Sequence, residues 1–163
     1  MRGLPLFLGC RVAAIAALSK AGIPVGVLVA PIIPALNDHE LVAVLHAAKS
    51  AGAQWAGMEI LRLPLTVAPV FEQWLEQQFP LKKAAVLNRI RAIRGGKLND
   101  PRFGSRMRGE GIFAEQIAQM FQVARRRAGL ADGGPELSVA GFRRPGGNQL
   151  ELGLAPPLGL EGF

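Results

Sequence analysis

The stretch IPVGVLVAPIIPALND, Ile23–Asp38, decides the fold, because a turn, an apolar strand and a helix start follow one another within it. Val25, Val27 and Val29 are β-branched, Leu28 and Ala30 fill the other face, and Gly26 permits close approach. A run that is apolar on both faces predicts a central parallel strand covered on each side by helices. Pro31 and Pro34 have no N–H to give to a ladder, so they are expected to end the strand, over Ala30–Ile32, and to stiffen its carboxyl end. In α/β folds that end is where ligands bind.

Upstream, Val12, Ile15 and Leu18 among alanines predict a short helix that Gly22 caps. Downstream, Asn37 with Glu40 three residues on reads as a capping box, opening a helix whose buried stripe is Leu41, Val44, Leu45 and Ala48. Gly52 stops that helix and Ala56–Leu61 reads as a second strand, so Val25–Leu61 forms one βαβ unit. His39 and His46 fall on the helix without a third metal-binding partner and read as surface histidines. Arg62 closes the second strand just before Pro64, where a guanidinium fork suits a carboxylate or phosphate.

Thr66 is placed to start a third helix through Val70, Phe71, Trp74 and Leu75, which Phe79–Pro80 breaks. A fourth follows over Leu81–Arg94, with Val86, Leu87, Ile90 and Ile93 inside and Lys82, Lys83, Arg91 and Arg94 outside. Gly95–Gly111 has no apolar period and reads as a long loop, in which glycine amides and the cations Lys97, Arg102, Arg106 and Arg108 resemble a phosphate-binding surface. The competing expectation is a structural loop pinned to its neighbours by Phe103 and Met107. Ile112–Ala128 is the most regular helix, lined by Phe113, Ile117, Met120, Phe121 and Ala124 and ended by Gly129–Leu130.

The 163 residues carry a net charge of +7, concentrated in Lys82–Arg108, where nine Lys or Arg face Asp100 alone; that segment is +8 and the remainder sums to −1. Such a surface fits nucleic acid, other phosphates or an acidic partner. The one cysteine, Cys10, excludes an internal disulfide and supplies one thiolate where an iron–sulfur site needs several. The apolar run before Cys10 is short for a secretion signal, and no stretch reaches the length of a membrane span, so a cytoplasmic setting is expected.

Three blocks occur together in order: VGVLVAPIIPALNDHE from Val25, ILRLP at Ile60–Pro64, and RGGKLNDPRFGSRMRGEG at Arg94–Gly111. With them the chain, over roughly Arg11–Leu130, resembles the radical S-adenosylmethionine proteins, in the bacterial subgroup with distant similarity to spore photoproduct lyase. The resemblance implies a (β/α) barrel and a [4Fe–4S] cluster on a CxxxCxxC motif. It also implies reductive cleavage of S-adenosylmethionine to a 5′-deoxyadenosyl radical. This chain lacks that motif. The expected fold is therefore an incomplete α/β barrel, one βαβ unit of late barrel strands followed by C-terminal helices.

The expected organisation is an atypical segment 1–10, a partial barrel over 11–80, a basic helix–loop–helix extension over 81–130, and a Gly- and Pro-rich tail over 131–163. The expected identity is the C-terminal half of a radical S-adenosylmethionine protein, from truncation, a frameshift or a misplaced start, inactive alone and holding neither cluster nor cofactor by itself. Carried over from the family, Ala30, Pro31 and Ile32 lie near the cofactor's adenine, and Arg62 near its polar groups or the substrate. The alternative expectation is a non-enzymatic nucleic-acid-binding protein that uses Arg94–Arg108.

Overall fold

The computed structural model describes residues 6–141, with side chains over 9–141. The expectations for the first residues of the 1–10 segment and for the QLELGL run of the tail fall outside it. Chain order is α1 (Leu6–Lys20), β1 (Gly26–Ile32), α2 (Leu41–Ser50), β2 (Trp55–Ile60), α3 (Val67–Gln78), α4 (Pro80–Ala92), α5 (Ser105–Arg108) and α6 (Ile112–Ala128). The protein is mixed helix and strand, and its sheet consists of β1 and β2, paired in parallel through α2.

The βαβ unit forms where the apolar pattern places it, with two differences in detail. β1 ends at Ile32, within the expected Ala30–Ile32, but it passes through Pro31 rather than being stopped by it. A register irregularity between Val29 and Ile32 accommodates the missing N–H, and the Ile32 carbonyl accepts from Leu61 at 2.9 Å to resume the pairing. Asn37 does not cap a helix by its side chain. Its Oδ1 accepts from the Ile33 amide at 2.7 Å and its Nδ2 donates to the Pro31 carbonyl at 3.1 Å, so it folds the turn that leads from β1 into α2.

The expectation of a strand covered on both faces is corrected. Val27, Val29, Ala56, Met58 and Ile60 face a core with Leu41, Leu45 and Ala48 of α2 and Ile117, Phe121 and Ala124 of α6. The opposite face carries Leu28, at 63% exposure, with Ala30 exposed and Gly57 and Glu59 half-buried. The periodicity of an apolar run cannot distinguish a strand buried on two sides from one whose second face awaits a cover. Near its amino end this face is crossed by the Trp55 indole, which lies where a side chain on Gly26 would project.

A second core sits beyond the carboxyl ends of the strands, where Leu36 and Leu63 pack against Leu75 of α3 and Val86, Leu87 and Ile90 of α4. Phe79–Pro80 separates these two helices as expected, with Pro80 at the first position of α4. α6 ends at Gly129 in the left-handed conformation, and the Leu130 amide returns to the Arg125 carbonyl at 3.1 Å. Met120, expected inside, is exposed at the rim of the α2–α6 contact. No helix among the described residues is long and apolar enough to cross a membrane.

The one-sided sheet sets a contrast between two leucines. Leu45→Ala, at a fully buried site, should lower stability by about 2–5 kcal/mol, whereas Leu28→Ser should change it by no more than about 0.5 kcal/mol. Denaturant melts of the two variants check this, and a large loss at Leu28 would mean that its face is covered.

Candidate functional site

The carboxyl ends of β1 and β2 lie side by side, because the Leu61 amide donates to the Ile32 carbonyl. Ala30, Pro31, Ile32 and Arg62 are thereby brought to one edge. Ala30 and Pro31 are exposed there, but the Ile32 side chain is sealed in the core and offers a ligand only its backbone. Arg62 is half-buried; its Nη1 reaches the Met107 sulfur at 3.7 Å, a weak acceptor, and its buried Nε has no hydrogen-bond partner among the described residues.

What holds this edge together is Arg94, which the helical pattern assigned to the outer face of α4. It is 3% exposed. Its Nη1 donates to the carbonyls of Ser105 at 3.1 Å and Arg106 at 2.7 Å, and its Nη2 to Leu61 at 2.9 Å and Ile60 at 3.4 Å. Burial pushes the guanidinium below its ordinary pKa; Asp100 opposes this, Arg62 adds to it and Glu59 opposes it. The carbonyl ends of β2 and of the first turn of α5 thus share one cation. Nothing local marks Arg94 as buried, since its partners lie 11, 12, 33 and 34 residues away.

The long basic loop is ordered by its own charges. Asp100, with its side chain 5% exposed, accepts from Arg102 Nε and Nη2, each at 3.0 Å, from the Arg102 amide at 3.0 Å, and from the Ser105 hydroxyl at 2.6 Å. Arg102 Nη2 also donates to Glu110 at 2.9 Å. The hydrogen bonds from the Arg102 side chain, then Ser105, then the Arg102 backbone hold the Asp100 carboxyl well below the usual carboxylate range, against a smaller opposing effect of burial. Arg102 is raised in turn, chiefly by Asp100 and then Glu110.

These contacts divide the four expected phosphate ligands. Arg102 is committed to two carboxylates and is withdrawn from that set on geometric grounds. Lys97 and Arg108 are exposed and make no ion pair among the described residues, while Arg106 lies with its guanidinium carbon 5.1 Å from the centre of the Phe103 ring. The expectation that Phe103 pins the loop to its neighbours fails, because the ring is 91% exposed. Ser105 and Glu110, which complete the network, carry no signal in the sequence, since an Asp and a Ser five residues apart mean nothing without the turn between them.

Beside the outer edge of β2 opens a cleft of about 750 Å³, lined by Gly57, Met58, Arg108, Glu115, Gln122 and Asp132 among others. Ala131 pairs with the start of β2, its carbonyl accepting from Ala56 at 3.2 Å and its amide donating to Gln54 at 2.9 Å. Past that bridge the strand is unpaired among the described residues. Cys10 is exposed on α1, and among the described residues no three His, Cys, Asp or Glu converge as a metal site. No family model, curated protein or solved structure matches the chain.

A carboxyl whose folded pKa is depressed contributes stability that is present above its unfolded value, near 3.9 for Asp, and that is lost as pH falls below it. Asp100→Asn should therefore lower the melting temperature near neutral pH, and the gap to wild type should narrow steadily below about pH 4. Thermal melts across that range test the assignment; a gap independent of pH would contradict it.

Proposed function

We propose that this chain is a βαβ segment of a radical S-adenosylmethionine barrel, acting with a polypeptide that carries the cluster cysteines and catalysing nothing alone. The observation that carries the reading is the one-sided sheet. In a (β/α) barrel the helices cover the outside and the strands turn their other face to the interior. Here α2 and α6 cover one face of β1 and β2, and the face bearing Leu28, Ala30, Gly57 and Glu59 is open. The outer edge of β2, unpaired beyond Ala131, is where a neighbouring strand would continue the sheet.

The residues present do not fit an iron–sulfur cluster, since one exposed cysteine stands where the family motif has three. They fit a supporting wall for S-adenosylmethionine better. Small exposed side chains at Ala30 and Pro31 leave room for a flat ring, and Arg62 is placed to meet a carboxylate from the same edge. The radical chemistry that the resemblance implies belongs to the assembly. Within it this chain's part is to shape the mouth and to hold Arg62 there.

Anaerobic reconstitution of the purified chain with iron and sulfide should give no cluster absorbance and no 5′-deoxyadenosine from S-adenosylmethionine. Adding a polypeptide with CxxxCxxC and the missing strands should give both, and Arg62→Ala should then weaken S-adenosylmethionine binding about tenfold or more. Cluster formation and cofactor cleavage by this chain alone would refute the proposal.

A further inference from the structure

Whichever barrel this chain completes, its basic loop presents a surface that the barrel reading does not use. Phe103 stands almost wholly in solvent, yet the backbone beneath it is fixed from both sides. Asp100 grips Arg102 and Ser105 on either side of the ring, and Arg94 holds the carbonyls of Ser105 and Arg106. The Arg106 amide closes on the Arg102 carbonyl at 3.1 Å, and Gly104, at φ 99°, makes the tight turn between them. A large aromatic ring gains nothing from water, yet this one is displayed on a turn held by those hydrogen bonds.

The charges around the ring narrow the partner. After Arg102 has been neutralised by Asp100 and Glu110, and Arg94 buried, the loop keeps Lys97, Arg106 and Arg108 as cations with no carboxylate partner among the described residues. Arg106 sits against the Phe103 ring, so cation and π-face are offered together. We propose that this loop binds single-stranded nucleic acid, with one base stacked on Phe103 and the flanking phosphates met by Lys97, Arg106 and Arg108. Unpaired bases expose the π-face that the ring needs, whereas in a duplex that face is already stacked. One ring with Met107 is too small an apolar surface to hold the loop on a membrane, which calls for a broad apolar face.

The inference is independent of the barrel proposal and is tested on the full chain with neither S-adenosylmethionine nor a second polypeptide present. Fluorescence anisotropy with a labelled mixed-sequence strand of about twelve nucleotides, and with its duplex, is read at about 50 mM and about 200 mM salt. The expected result is tighter binding of the single strand, with log affinity falling by about two units per decade of salt for three phosphate contacts. Phe103→Ala should weaken the single strand about tenfold, leave the salt slope unchanged and move the melting temperature little, since the ring is exposed and meets the Arg106 guanidinium rather than the core. Replacing Arg106 and Arg108 together by Ala should reduce the slope by about 1.4. No binding at the lower salt, equal affinity for strand and duplex, indifference to Phe103→Ala, or binding to phosphatidylserine vesicles in place of the strand would each overturn the proposal.

Discussion

The Arg94 guanidinium is the contact on which the rest of the candidate site depends. From just beyond the end of α4 it closes β2 and fixes the first turn of α5 with a single group, through four main-chain carbonyls from two distant segments. A buried cation is tolerated only where hydrogen bonds replace its hydration; carbonyl oxygens do so at both Nη atoms without a second charge, while the buried Nε has no partner among the described residues. The consequence is positional. The loop that would otherwise drift is held against the carboxyl end of the sheet, bringing Met107 to Arg62 and Arg108 to the cleft beside β2.

A second constraint follows from charge. The loop contains one of the most basic runs in the chain, and like charges in a short segment push it open. Asp100 and Glu110 relieve this by taking Arg102 out of play, which fixes the loop and leaves a sparse, directed set of cations. The contrast with the sheet is instructive. There the covered face is closed by ordinary apolar packing against α2 and α6, and the other presents Leu28 to water.

Much of this architecture was legible from local pattern. The βαβ unit, the Phe79–Pro80 break and α6 from Ile112 to Ala128 rest on periodicity and turn chemistry that act within a few residues. Pro31 does not stop β1, because a proline can sit in a strand wherever the register slips. Apolar character predicts packing for Met120 and leaves packing as one of two alternatives for Phe103, and both side chains are exposed. Arg94 was invisible for a deeper reason: helical periodicity places a residue on a face but says nothing about carbonyls arriving from 33 residues away. The same limit applies to Arg102, whose spacing from Asp100 becomes a bidentate pair only once the turn is formed.

Among the described residues, β2 has no neighbour on its outer edge beyond Ala131, and on that the account turns. From Ala56 to Leu61 successive amides alternate between the two sides of the strand: Ala56 donates outward to Ala131 and Leu61 inward to Ile32. The Gly57 and Glu59 amides therefore point into the β1 pairing and the Met58 amide points to the open edge. Amide hydrogen exchange of the isolated chain, followed by NMR, reads that alternation residue by residue. The account predicts slow exchange at Gly57 and Glu59 with fast exchange at Met58; protection of Met58 equal to that of its neighbours would show that the edge is already occupied.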